Sequence, residues 1–306
     1  MKVLIIRPGA LGDTLMLMPS IIQIRRSTEI VFVGRSPGLN FIKPFVPHCM
    51  DFEGPGWYKL FLESPDHAHQ IPIPPVDKVV AFLSDPDGKI HKNLRVYLPS
   101  AEINLFPAFP SKEAKIHVAL YLAQCFQMAG LPIDPMRTIE EACRRPLLEK
   151  DITHVYKKVI ILHPGSGGED KNHPPEFWIQ MMIELRRNLT NEKEEFVILL
   201  GPAEEKLYPS LRERMDNLNV DIVFTPEKEK LLTLLKQAHL YVGHDSGITH
   251  LAAMLGTPTI ALFKHSSTQQ WRPLGPEVRV IENEMSEQDL ISKIIEISII
   301  STSFKK

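Results

Sequence analysis

Apolar residues fall along this 306-residue chain mostly in short unbroken runs, not in strict alternation. Val3-Leu4-Ile5-Ile6 and Val159-Ile160-Ile161-Leu162 are the clearest, with further runs at 30–33, 79–83, 196–200, 220–223, 239–242 and 259–263. Four or five β-branched or aromatic residues bounded by Pro, Gly or charge predict strands buried on both faces, as in a parallel sheet. Between these runs the apolar residues recur at helical spacing, over 13–25, 114–129, 174–187, 203–215, 227–237, 247–255 and 286–300. The last stretch places Leu290, Ile294 and Ile297 on one face. Strand and helix in alternation predict an α/β fold with doubly wound parallel sheets. One pattern occurs twice. Lys2-Val3-Leu4-Ile5-Ile6-Arg7-Pro8-Gly9 is answered by Lys158-Val159-Ile160-Ile161-Leu162-His163-Pro164-Gly165, and each copy opens one half of the chain. The echo predicts two similar domains facing a cleft, over 1–147 and 158–285, with a linker at 144–157 that serves as a hinge. A terminal segment, 286–306, has the option of packing back on the first domain. Between 45 and 110 prolines interrupt every period except the run at 79–83.

Composition agrees with this picture. At roughly 150 residues per domain the length allows two domains, and 43% hydrophobic against 24% charged residues excludes wholesale disorder. Lys plus Arg number 35 and Asp plus Glu 37, a net charge of −2 that predicts no nucleic-acid partner. Cys49, Cys125 and Cys143 are odd in number and far apart, without a CxxC pair. That predicts neither a disulfide framework nor a zinc site, and a reduced cytoplasmic setting. The opening apolar run is too short for a signal peptide, and no run approaches the ~18 residues of a membrane span. Surface association with a membrane stays open, but the basic pairs Arg25-Arg26 and Lys305-Lys306 are too short to show it.

Three loops carry candidate chemistry. Pro8-Gly9-Ala10-Leu11-Gly12-Asp13 leaves a central strand and enters a helix, the place where open α/β sheets bind ligands. Gly9 and Gly12 permit close approach of a ligand or backbone. Asp13 reads either as the N-cap of the following helix or as a general base. His163-Pro164-Gly165-Ser166-Gly167-Gly168-Glu169-Asp170-Lys171 reads either as a phosphate cradle or as a solvated loop with an incidental lysine. Gly243-His244-Asp245-Ser246-Gly247-Ile248-Thr249-His250 opens a helix whose first amides would stabilise an anion, with capping by Asp245 or Ser246 as the plainer reading. Two such loops, one per half, together make a diphosphate clamp.

Other patterns point away from chemistry. Asp85-Pro86-Asp87-Gly88 resembles a metal-holding Asp-x-Asp but carries a strong turn signature. His67 and His69 have no further ligands nearby in sequence, and Met16 and Met18 read as helix core. GxGxxG, the Walker pattern and a Gly-x-Ser-x-Gly elbow are all absent, which disfavours a nicotinamide dehydrogenase, a P-loop ATPase and a Ser–His–Asp hydrolase.

Taken together and in order, the three loops resemble the lipopolysaccharide heptosyltransferases, inverting enzymes with two Rossmann-like domains (the GT-B fold). The resemblance rests on Val3 through Asp13, on His163-Pro164-Gly165-Ser166 with Lys171 and Pro174, and on Asp245 through Ala253 running into Gly256-Thr257-Pro258. It implies transfer of a heptose from an ADP-linked donor to a lipid-borne saccharide acceptor, in the cytoplasm and in peripheral contact with the inner face of the cytoplasmic membrane. It also implies Asp13 as catalytic base, Gly9 and Gly12 in an acceptor-side loop, and Lys171 with Ser166 on the donor phosphates beside Ser246 and Gly247. Glu204 would lie near the nucleoside, Asp245 and His250 would line the donor site, and no metal or cofactor is implied. Three departures stand out. His173 occupies a position where the family usually has tryptophan, His244 one where Asn or Val is usual, and Lys264-His265-Ser266 replaces the commoner Gly-Pro-Thr beside the diphosphate. These departures leave open a different ADP-sugar donor, or a nucleotide-sugar-binding protein of the same fold that has lost catalysis.

Overall fold

The computed structural model describes residues 1–65, 71, 73–111, 113–148, 158–189, 194–215, 218, 220–282 and 285–303. His67, His69, most of the expected linker and the final lysine pair lie outside these residues. The chain divides into two units, Met1–Glu141 and Ala142–Lys306.

In the first unit β1 (Lys2–Ile6), β2 (Glu29–Gly34), β3 (His48–Asp51), β4 (Lys78–Phe82) and β5 (Glu102–Phe106) form one sheet in the order β3-β2-β1-β4-β5. In the second, β6 (Lys158–His163), β7 (Glu194–Leu200), β8 (Val220–Phe224), β9 (Ala238–His244), β10 (Thr259–Phe263) and β11 (Val278–Glu282) follow the order β11-β10-β9-β6-β7-β8. Every neighbouring pair is parallel. Counted from its own first strand, each sheet reads 3-2-1-4-5, and the second adds a sixth strand outside the fifth. The short echo in the sequence therefore marks a shared architecture. Its two copies are the central strands: Ile6 sits between Val33 and Ala81, and Leu162 between Ile198 and Val242. Residues in such a position meet sheet on both sides and helices above and below, so Val3 through Ile6 are fully buried.

The expected elements differ in instructive places. The helix expected from 13 begins at Leu11 and breaks into Leu11–Leu15 and Met18–Ile24. Pro19 cannot donate to the Leu15 carbonyl, so one continuous helix is forbidden there. Met16 and Met18, expected as helix core, are both fully buried, but only Met18 lies in a helix, Met16 falling in the break. The segment 203–215 starts as a 3₁₀ turn, Pro202–Leu207, before the α-helix Tyr208–Met215. β3, β5 and β11 were not expected. They are edge strands, partly exposed and interrupted by polar residues such as Asn104 and Arg279. The Asp85 turn is a cap: its two carboxylate oxygens accept the Ile90 and His91 N–H groups, each at 2.9 Å, at the start of helix Lys89–Tyr97.

The unit boundary falls at 141/142, earlier than the expected 147, for a visible reason. Leu147 and Leu148 both donate their N–H to the Met254 carbonyl, at 2.9 and 3.1 Å, and so belong to the second unit. The terminal segment is not a separate piece either. Helix Glu287–Ser303 inserts Leu290, Ile291 and Ile294 into the second unit's core beside Trp178, Met181 and Leu185. The three cysteines are free thiols.

Candidate functional site

In a sheet of order 3-2-1-4-5 the winding direction reverses between strands 1 and 4, and a crevice opens at their carboxyl ends. In the first unit those strands are β1 and β4, and a cavity of about 240 Å³ lies there, lined by Arg7, Gly9, Asp13, Phe82, Ser84 and Phe109 among others. Asp13 is the third residue of helix Leu11–Leu15, whose N-cap is Ala10, and its Oδ2 accepts the Ala10 N–H at 2.9 Å. Asp13 is therefore not the N-cap, although its carboxylate does stabilise the helix start while lining the cavity. Gly9 is required for this packing: a Cβ there would lie 2.5 Å from the Asp13 Cβ. Gly12, expected in the loop, sits inside the first helical turn.

Behind Asp13 lies Arg7, only 2% exposed, which the sequence reading did not single out. Its Nε donates to the Asp13 carbonyl at 3.0 Å and its Nη1 to the Ala108 carbonyl at 2.6 Å. The guanidinium lies between the rings of Phe82 and Phe109, 5.4 and 5.1 Å from their centroids. Burial pulls its pKa down to about 10, and the Asp13 charge opposes that pull. A cation directly after four fully buried apolar residues was the available sequence signal.

In the second unit the strands at the reversal are β6 and β9, which end in His163 and His244. A hydroxyl network joins them to the helix Gly247–Met254. The Tyr241 hydroxyl is 2.8 Å from His163 Nδ1 and 3.1 Å from Thr249 Oγ1, and Ser246, the helix N-cap, lies 3.0 Å from Thr249 Oγ1. His244 Nδ1 is 2.9 Å from the Pro164 carbonyl, a pure acceptor, so that nitrogen carries the proton. Nε2 then accepts twice, from the His173 backbone N–H at 3.0 Å and from His173 Nδ1 at 2.8 Å. The two imidazoles stack 5.1 Å apart, and His173 also stacks on Phe177 at 4.3 Å. Burial pushes His163 and His173 down to about 4 and His244 to about 3, so all three are neutral at pH 7. The residues that depart from the expected family pattern thus pin the Pro164 and His173 ends of the second loop to β9.

Several expected site residues do meet. Lys171 Nζ lies 2.9 Å from Asp245 Oδ2, and His250 Nε2 lies 3.7 Å from Asp245 Oδ1. Burial alone would raise the Asp245 carboxyl, but hydrogen bonds from His250, Ser266 and Lys171 together hold it well below the usual carboxylate range. Ser166 faces inward, its Oγ 2.9 Å from the Gly168 carbonyl and 2.8 Å from Asn172 Oδ1, so it shapes the loop. Gly247 begins the helix beside Ser246. Glu204 is buried, with burial raising its pKa, and its Oε2 accepts the Gly201 N–H at 2.7 Å. It fills the space over Gly165, where a Cβ would come within 1.9 Å of its carboxyl carbon. Lys264, just past β10, reaches back to the Asn172 carbonyl at 3.4 Å. Among the described residues no helix is long and apolar enough to cross a membrane.

Solved structures share this fold. The E. coli heptosyltransferase WaaC with ADP matches 97% of this chain over all of its own, with a TM-score of 0.68 at 15% identity. A glycosyl transferase family 9 protein from Veillonella parvula gives the same score at 14% identity, over 97% of each chain. The E. coli ADP-heptose lps heptosyltransferase II gives 0.65 at 15%, over 99% of this chain and all of that one. These likenesses establish the GT-B class of fold with its two parallel-sheet α/β domains. A curated relative, lipopolysaccharide heptosyltransferase 1 of Campylobacter coli, is 30% identical over 131 residues, or 41% of this chain. That match spans 37% of the relative's own length, little more than a third. The model of glycosyltransferase family 9 (heptosyltransferase) matches residues 105–294, well over half of the sequence, and the chain belongs to that family.

Proposed function

We propose that this protein transfers a heptose from an ADP-linked donor to a hydroxyl of a lipopolysaccharide-core saccharide, inverting the anomeric carbon. The observation that carries the reading is the cluster of Lys171, Asp245 and His250 at the start of helix Gly247–Met254, in a chain of this family. The cluster sits where the winding of the second sheet reverses, with a buried acid, Glu204, on the adjoining strand end, suited to ribose hydroxyls. The WaaC enzyme, whose fold this chain shares, has been solved with ADP and with ADP-2-deoxy-2-fluoro heptose, which favours the same donor class here.

In this reading the first unit supplies the base. The Asp13 carboxylate takes the proton of the acceptor hydroxyl as that oxygen attacks the anomeric carbon from the face opposite the diphosphate. The carbon–oxygen bond to the β-phosphate breaks, and ADP leaves with the bonding pair. Lysine cations and helix N–H groups stabilise the growing phosphate charge, so the reading calls for no metal or organic cofactor. A lipid-borne acceptor would bring the enzyme to the inner face of the cytoplasmic membrane. Asp13→Asn keeps the size of the side chain and removes the base. Transfer should fall by about 10²-fold or more while ADP affinity stays within about twofold. Normal turnover by that variant would reduce Asp13 to a helix cap. ADP binding by the wild type without transfer to any heptose-core acceptor would favour a lapsed enzyme or a different ADP-sugar.

A further inference from the structure

We infer that Lys264 is the uncompensated cation that receives the donor diphosphate, while Lys171 acts chiefly through Asp245. This rests on the ADP-sugar reading and goes further, because it says which charge does the binding. Lys171 forms a 2.9 Å ion pair with an acid that is only 8% exposed, so its positive charge is largely balanced within the protein. Lys264 has no such partner. Its Nζ reaches only the Asn172 carbonyl, at 3.4 Å, and among the described residues no carboxylate lies within ion-pair distance of it.

Position supports the assignment. β10 pairs with β9 so that Leu262 stands beside His244, and the Leu262 carbonyl accepts the Asp245 N–H at 3.1 Å. Lys264, two residues on, therefore leaves the same sheet edge that carries Asp245 and Ser246. Its reach to Asn172 places the cation against the turn that holds Lys171. Its charge adds to the lowering of both histidines, after burial for His173 and after burial and the two neighbouring histidines for His244. Beyond Ser246, whose Oγ accepts the Thr249 N–H at 3.3 Å, the helix Gly247–Met254 opens with the Gly247 and Ile248 N–H groups, which have no partner inside the helix. A half-buried free cation and a helix start on one edge fit a polyanion such as a nucleoside diphosphate. Lys264 thus becomes a determinant of donor affinity.

Calorimetric titration of the full-length protein with ADP and with adenosine tests this. Lys264→Ala should weaken ADP by about tenfold or more, the scale of one charge-assisted hydrogen bond, and leave adenosine within about twofold. Lys264→Arg, which keeps the charge, should stay within about threefold of wild type, and added salt should weaken ADP binding more in wild type than in Lys264→Ala. Lys171→Met leaves Asp245 unbalanced, so Lys171→Met with Asp245→Asn should recover ADP affinity relative to Lys171→Met alone. Unchanged ADP affinity in Lys264→Ala, with wild type binding ADP, overturns the inference and leaves the ADP-sugar reading standing. No recovery in the double variant overturns the secondary role given to Lys171. Failure of the wild type to bind ADP removes the ADP-sugar reading and this inference with it.

Discussion

Histidine is where single residues of this protein respond most sharply to their surroundings. His163, His173 and His244 are buried, and burial holds them near 4, 4 and 3 in the folded state, against ~6.5 in an unfolded chain. Between these values the unfolded chain binds protons that the folded chain refuses. Stability therefore rises with pH through that window and is lost as pH falls from about 6.5 toward 4. Each such histidine contributes a slope of about 1.4 kcal/mol per pH unit. His173→Phe, which can still stack on Phe177, should flatten the dependence by about one proton. Urea unfolding followed at several pH values between 7.5 and 5 checks this, and a flat profile in the wild type would sink it. The sequence showed His173 and His244 only as departures from a pattern. That they hydrogen-bond, and in which tautomer, follows from a backbone carbonyl at Pro164 that sequence spacing cannot place.

At the level of elements, the two Pro-Gly loops solve one packing problem in the same way. After β1, Gly9 makes room for Asp13, and after β6, Gly165 makes room for Glu204. In both, the acid is the third residue of a short helix and accepts the N–H of the cap residue, Ala10 or Gly201. The difference is informative, since Asp13 comes from the helix directly after its loop and Glu204 from the turn after the neighbouring strand, β7. Gly165→Ala would push a methyl into the Glu204 carboxyl group and should cost about 1–3 kcal/mol. Combining it with Glu204→Ala should restore most of that loss, and a Gly165→Ala protein as stable as wild type would contradict the packing argument. Central strands were legible because burial on both faces demands unbroken apolar runs. The edge strands β3, β5 and β11 were not, because one side of each has no neighbouring strand and tolerates polar residues, whereas the edge strand β8 keeps enough of an apolar run in Val220, Ile222 and Val223 to be read.

For the whole molecule, two hydrophobic clusters among the described residues share no residue. One gathers Leu4, Val33, Trp57 and Leu94 in the first unit, and the other Leu162, Trp178, Leu200 and Leu290 in the second. Each core should report its own unfolding. Leu162→Ala, at a fully buried site, should cost about 2–5 kcal/mol and lower one calorimetric transition, while Leu94→Ala lowers the other. A single transition that shifts equally in both variants would contradict this. The sequence by itself determined the α/β class, the duplication, the central strands and the loops that carry Asp13, Lys171 and Asp245, because those depend on local periodicity and on residue types at fixed spacing. Tertiary structure alone decided which charges are balanced. Lys171 and Asp245 stand 74 positions apart, and Lys264 and Asn172 stand 92 apart. Only the order of strands in the sheet brings the first pair into an ion pair and leaves Lys264 without one, since electrostatic partnership depends on distance in space and not along the chain.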